Sequence, residues 1–413
     1  GTIKSSENYE RRFIMTFPNE TLPKGRKQKT TSIYDRLISK GAVMGDNFGL
    51  ENVMWFAKNT EDAYEEPTFR RSRSHAYVAD EVNAVRNAVG FTEIANFAKH
   101  EITGEDSRKF LNYILAGKIP LPGSISLSPM LSKKGKLIGD LTVACMNEEN
   151  FILYGSGVAQ EMHRRWFENF IMEYDVVYKN KSDDYHGIAI SGPNSRKLLS
   201  RISREDVSNN SFQFKKTKET FIAGVPAILN RLSFSGELGY EIYVAPHFLL
   251  KLFETIEANG EDLGLKLYGS RALMSLRLEK NWGAWTLEYR PDFTAHESGL
   301  DKFIDWNKDF IGKKEAIKEK DNGPNKKLVT MVVSTKDIDV ISDEAIIKNN
   351  NCVGYVTSGG YAHYIKKSIA FGYVSIECAK DGTNLEIEIN GKNYSAYVTN
   401  KILYDPLGGK MRS

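Results

Sequence analysis

Cysteine is scarce in this chain. Its 413 residues include three, Cys145, Cys352 and Cys378. An odd, scattered set excludes both a disulfide framework and a cysteine-based metal cluster. Each lies among apolar, strand-like neighbours, so all three are expected to be buried small hydrophobes in a reducing compartment. The seven histidines are also scattered. None forms a His-Glu-x-x-His pair, and a metal site is not expected. No apolar run approaches membrane-spanning length, and no signal peptide opens the chain. The expected location is cytoplasmic, or the mitochondrial matrix if the source is eukaryotic. Charge of one sign is not in excess either. There are 56 basic and 53 acidic side chains, for a net charge of +3, which gives no reason to expect a nucleic-acid partner. The short runs Lys133-Lys134 with Lys136, and Lys326-Lys327, read as solvated loops or as a basic rim for a polyanionic ligand. The chain opens on Gly1-Thr2, not methionine, which points to an expression scar, a processed protein or a fragment.

The length is too great for one ordinary core. Residues 1–40 are polar and read as an irregular linker or tail, with a helical turn near Ser32–Leu37. Val78, Val82, Val85 and Val89 share a helical face, which predicts a helix ended by Gly90. Phe91–Ile94 and Lys99–Ile102 read as short strands. The chain also contains an internal echo. Ile102-Thr103-Gly104-Glu105-Asp106-Ser107-Arg108-Lys109 is answered by Ile190-Ser191-Gly192-Pro193-Asn194-Ser195-Arg196-Lys197, each a strand end, a glycine turn and a helix start. Two such units predict a pseudo-symmetric α+β core. Leu137–Cys145 and Phe151–Gly155 form a predicted hairpin with its turn at 146–150. Met162–Tyr174 reads as a packed helix. After the loop signal Asp321-Asn322-Gly323-Pro324-Asn325 the chain is strand-rich, at 328–333, 351–356, 368–376, 385–389 and 393–398. That predicts a small β-barrel.

Two stretches carry the chemistry. Asp140 stands alone in an apolar strand, where a carboxylate is costly without a partner. It is either a base facing a ligand or an aspartate satisfied by turn amides. Phe234-Ser235-Gly236-Glu237-Leu238-Gly239-Tyr240-Glu241-Ile242-Tyr243-Val244 is a glycine-punctuated turn that delivers Glu241 into a strand. Glu241 reads a ligand or pairs with Arg231. Arg271 follows Gly269-Ser270 at a helix start and needs an acid or a ligand there, Glu241 and Glu279 being the candidate acids. Tyr154 is equally a pocket or a core residue. Trp285 is read as core packing. Gly155-Ser156-Gly157 lacks the pattern of a phosphate loop.

Phe234–Val244, Tyr268–Glu279 and Gly139-Asp140-Leu141-Thr142-Val143 together resemble the aminomethyltransferase (glycine-cleavage T-protein) family. The likeness runs over roughly residues 30–413. Tyr34–Leu37, Gly41–Gly45, Phe48–Glu51 and Trp55-Phe56 narrow it to the folate-binding C-terminal half of dimethylglycine and sarcosine dehydrogenases. The resemblance implies a T-protein-like α+β folate-binding core of ferredoxin-like units at 41–322, a tail of a preceding domain at 1–40, and a β-barrel at 323–413. It implies tetrahydrofolate as cofactor and capture of the carbon of an N-methyl amine-derived iminium as 5,10-methylenetetrahydrofolate. The implied roles are Asp140 as the catalytic residue, and Glu241, Arg271, Phe234, Tyr154 and Tyr240 as cofactor-binding residues. Phe234 stands where the family commonly has tyrosine. The ending Asp405–Arg412 departs from the family pattern, so its folate-reaching arginine is not carried over. The implied partners are folate, an amine-derived one-carbon donor and an FAD-dependent dehydrogenase domain or subunit, with no nucleic acid and no membrane. Without a dinucleotide fingerprint the chain is not expected to bind FAD or to oxidise anything alone. A stand-alone T-protein, a folate-dependent demethylase and a non-catalytic folate-binding module are the alternatives.

Overall fold

The computed structural model describes residues 1–14 and 17–413. Two sheets form the core. The first has six strands in the order Thr217–Ile222, Val225–Asn230, Gly239–Val244, His186–Ser191, Val89–Glu93 and Leu265–Leu267. The second has five, in the order Ser124–Leu131, Leu137–Asn147, Asn150–Ser156, Phe97–Thr103 and Val177–Asn180. Neighbours are antiparallel except Leu265–Leu267, which runs parallel to Val89–Glu93. Side chains alternate between faces along each strand. One face of each sheet is therefore covered by helices and the other looks toward the opposite sheet. Ile125, Ala144, Ile152 and Tyr154 of the five-stranded sheet meet Ile228 and Tyr243 of the six-stranded one in a shared apolar layer.

The internal echo is structural. The helices Ser107–Ile114 and Ser195–Ile202 each follow a strand of their own sheet. They bury Phe110, Leu111 and Ile114, and Leu198, Leu199 and Ile202, in the same phase. Gly104 and Gly192 make the two turns at φ of +123° and +131°. A Cβ there would lie 2.3 Å from Asp175 O and 2.6 Å from Ala88 O, so no larger residue fits either turn.

The strand-rich tail closes into a six-stranded barrel with Met331, Ile346, Val356, Ile387 and Val398 inside. Five of its strands match the predicted ones. The sixth, Ala345–Lys348, is too short for its alternation to stand out in the sequence. The barrel is keyed to the core by Ser298 Oγ and Tyr373 Oη at 2.7 Å and by the Phe293–Tyr373 stack.

Several expectations are corrected. The tail is not irregular throughout. Thr2–Arg11 is helical, and its buried Glu7 accepts hydrogen bonds from Lys24 N at 3.0 Å. The helix carrying Val78, Val82 and Val85 runs Ser74–Asn87 and stops before Gly90, because Ala88 leaves helical geometry (φ −139°, ψ −107°) and Val89 enters a strand. The Met162–Tyr174 stretch is helical over Gln160–Glu168, with a single 3₁₀ turn beyond it. Cys352 lies on an exposed strand end, whereas Cys145 and Cys378 are buried.

Candidate functional site

Asp140 lies in the Leu137–Asn147 strand, opposite Pro129. Two residues on, and on the same face, Thr142 sits opposite Tyr154, which in turn sits opposite Lys99. This face looks toward the six-stranded sheet. The Asp140 carboxyl keeps partial contact with solvent although protein surrounds it. Burial pushes its pKa up to about 7; its own backbone amide opposes the shift and the charge of Glu288 adds to it. Such a carboxyl can hold or release a proton near neutrality. Below it, His163 holds the strand by its Nε2 at 3.1 Å from Ile138 O. A Cβ at Gly139 would come within 2.8 Å of that nitrogen, so the residue before Asp140 must be glycine for the imidazole to reach the backbone. The Trp285 ring packs on His163 with centroids 5.8 Å apart. Tyr289 lies within the field of Asp140, and burial raises its own pKa.

Glu241 lies in the Gly239–Val244 strand, between Asn230 and Ala189 on its neighbours. Period-two spacing puts Tyr243 on the same face, and its hydroxyl donates to Glu241 Oε2 at 2.9 Å. The Tyr243 ring stacks on Tyr154 of the opposite sheet, with centroids 4.8 Å apart and planes 24° apart. Tyr154 thus joins the two halves of the site, with Asp140 along one sheet and Glu241 on the other. Burial raises the Glu241 pKa to about 7, against the Tyr243 hydrogen bond and the Lys99 charge, which lower it. Tyr154 Oη and Asn230 Nδ2 are buried beside it, near enough to each other for Asn230 to oppose the rise of the Tyr154 pKa but without a well-formed hydrogen bond to any partner. Orphaned polar atoms next to a half-used carboxylate are costly unless a ligand completes them. A planar heterocycle with adjacent N–H donors and a ring acceptor fits that set.

The other expected residues are placed differently. Phe234 is half-exposed and stacks on Trp282 at 5.9 Å. Its loop is fixed by the buried Arg86, which donates to Ser235 O at 2.7 Å, to Glu237 at 3.0 Å and to Glu279 at 2.7 Å. Tyr240 points to the other face of its strand, into the helix-covered core, where its hydroxyl accepts from Arg196 Nε at 3.1 Å. Strand alternation removes it from the inter-sheet space that Glu241 faces. Arg271 pairs with neither Glu241 nor Glu279. Its guanidinium meets Glu65 at 2.7 Å and Ser74 Oγ at 2.7 Å. Its ion pair is made to the segment 60–74, while its Nε and Nη2 are buried without a hydrogen-bond partner. Arg231 is not the partner of Glu241 either; it donates to Asn209, Phe212 O and Ser413 O. Trp285 is half-buried beside His163.

The sequence alone does not single out Lys99, Asn230, Tyr243 or His163. Tyr243 was legible, two residues beyond Glu241 in one strand. Lys99 and Asn230 become neighbours only through sheet pairing, and His163 through the packing of helix Gln160–Glu168 on the Asp140 strand. Among the described residues no group of histidine, cysteine and acidic side chains could hold a metal ion, and no helix is long and apolar enough to cross a membrane. A polar hollow of about 660 Å³ beside Lys40, Lys58 and Glu61 contains none of the residues above.

Residues 33–308 match the family model described as the GCVT N-terminal domain, and 326–405 match the glycine cleavage T-protein C-terminal barrel domain. Human mitochondrial dimethylglycine dehydrogenase is 35% identical over 417 residues, covering 99% of this chain and 48% of that protein. An aminomethyltransferase of Desulfitobacterium hafniense is 29% identical over 337 residues, covering 81% of this chain and 92% of that protein. The chain thus spans about half the length of the dimethylglycine dehydrogenases it matches. The crystal structure of the glycine cleavage system aminomethyltransferase T from Bartonella henselae superposes with a TM-score of 0.80 over 92% of this chain and 99% of that one, at 20% identity.

Proposed function

This chain belongs to the glycine-cleavage T-protein family, and from that premise we propose that it binds one tetrahydrofolate between its two sheets and directs one-carbon transfer to it. The observation that carries the reading is the Tyr154–Tyr243 stack, which brings the strand face bearing Asp140 against the sheet that carries Glu241. Two carboxyls of unlike surroundings, linked by aromatic faces, suit a ligand with a donor-bearing ring at one end and reactive amines further along.

Tetrahydrofolate supplies the nucleophilic amine that takes up an electrophilic one-carbon unit from an amine donor. The chain's own residues orient and protect. The free oxygen of Glu241 accepts from the pterin edge, and Asn230 and Tyr154 meet its remaining polar atoms. Tyr243 fixes the carboxylate plane. Asp140, ionised, accepts a proton from the attacking amine and stabilises positive charge on nitrogen. His163 and Gly139 hold the Asp140 strand in place. The charge of Glu288 beside Asp140 is committed elsewhere, to Arg277 Nη1 at 2.9 Å and Thr357 Oγ1 at 2.9 Å. It therefore shapes the loop 282–290 and leaves Asp140 as the free base.

The similarity to dimethylglycine dehydrogenase supports an iminium from an N-methyl amine as the donor, made by a flavin-dependent domain or subunit. On this reading the chain does not oxidise amines alone. Calorimetry with folinic acid tests the binding. One site per chain, weakened about ten- to a hundredfold in Glu241→Ala by the loss of one charge-assisted contact, is expected. No binding at millimolar ligand, or unchanged affinity in the variant, would remove the pterin site.

A further inference from the structure

Lys99 is a lysine with no exposed surface, in a strand that faces the Glu241 pocket. Its ammonium makes one hydrogen bond, to Ala95 O at 3.2 Å, and lies 5.6 Å from the centroid of the Tyr243 ring. The hydroxyl of that ring holds Glu241. A buried ammonium with one acceptor for three protons is costly unless an anion shares its surroundings. Resting on the pterin-site reading above, we propose that Lys99 is a positioning residue that exchanges one proton with Glu241, so that the pocket presents a carboxylate to an incoming pterin without net proton release.

The groups around the pair are few. Tyr243 from the same strand, Tyr154 from the opposite sheet and Tyr268 beyond the parallel edge strand face Glu241, and all three stay neutral because burial raises their pKa values. Lys99 also feels Asp183, Lys29, Glu93 and His186. Asp183 and Lys29 are ion-paired with each other, so their effects on Lys99 oppose. Glu93 lies one register position off the Glu241 row, on the other face of its sheet, with Oε1 unpartnered. It competes for Lys99 more weakly than Asp183 and Glu241 do. Burial pushes Glu241 up and Lys99 down, each to about 7. The pair therefore holds one proton near neutrality, either as carboxylic acid with amine or as carboxylate with ammonium. These two forms have the same net charge. A ligand offering N–H donors selects the second, and the proton moves from Glu241 to Lys99.

The test is the number of protons exchanged on binding folinic acid, from calorimetry at pH 7 in buffers of different ionisation enthalpy. The parent protein should release close to zero protons, and its Kd should change less than about twofold between pH 6.5 and 7.5. In Lys99→Met, Glu241 rests protonated and must ionise to bind. About one proton should be released, with Kd tightening about tenfold per pH unit. Lys99→Met/Glu241→Gln should release none, and Glu93→Gln should match the parent. Release of a full proton by the parent, or none by Lys99→Met, overturns the role of Lys99 while leaving the pterin site in place. The parent measurement alone decides if Lys99→Met does not fold. No binding by the parent overturns the pterin site itself, and this inference with it.

Discussion

Asp140 and Glu241 are each worse for the folded chain than a neutral residue would be. Burial raises both pKa values to about 7, above the usual unfolded range for carboxyls. A group whose folded pKa is raised binds protons more tightly when folded. It therefore lowers stability as pH climbs from about 4 through 7, and the loss is complete above 7. Asp140→Asn should melt higher than the parent at pH 8, and the gap should close toward pH 4–5, where the parent carboxyl is protonated. Thermal melts across that range check the sign. In the mechanism proposed above, the Asp140 carboxylate sets the rate at saturating folate. Transfer should rise with pH through about 7 and level off above it, because only the ionised carboxylate accepts a proton. A rate independent of pH from 6 to 8 would place the base elsewhere.

At the scale of elements, the loop 282–290 is held from within. Arg277 and Glu288 form a fully buried pair, and Glu288 also accepts from Ala284 N at 2.9 Å and from Ser358 Oγ at 2.5 Å. This ties helix Ser270–Glu279, the loop and the barrel strand Asn351–Ala362 into one unit. Removing one partner leaves a buried charge unpaired, so Glu288→Ala should cost about 3–5 kcal/mol in denaturant unfolding. It should also loosen the Trp285 and Tyr289 side of the Asp140 pocket. Arg271→Ala removes the link to Glu65 and Ser74 and a charge that acts on Glu81, none of them in the Glu241 strand, so folate affinity should stay within about twofold of the parent. A large loss of affinity would return Arg271 to the ligand.

The legibility of the sequence divides along the same lines. The strands, the echo and five barrel strands follow from alternation and turn residues local to each segment. Asp140 and Glu241 stood out because a charge in an apolar strand is conspicuous. Tyr240 comes into the candidate site through the family resemblance, and strand alternation turns it to the face opposite Glu241. Lys99 and Asn230 look ordinary in sequence. They acquire meaning only when the Phe97–Thr103 strand pairs with Asn150–Ser156 and the Val225–Asn230 strand pairs with Gly239–Val244. The tail helix Thr2–Arg11 is polar almost throughout and lacks the apolar stripe that would announce it.

For the whole molecule, the family and the fold rest on matches over nearly the full chain. The chemistry proposed above rests on Asp140. Transfer needs an iminium source, so formaldehyde with an amine, or the flavin partner supplied separately, must feed the reaction, with uncatalysed condensation subtracted. The most direct measurement is the single-turnover rate of one-carbon transfer to bound tetrahydrofolate in the parent and in Asp140→Asn, at pH 8 and with saturation confirmed. The account predicts retained folate affinity and a rate lower by about 10²–10⁴, the usual worth of a positioned base. Equal rates with folate bound in both would contradict it and leave a folate-binding scaffold that does not accelerate the transfer.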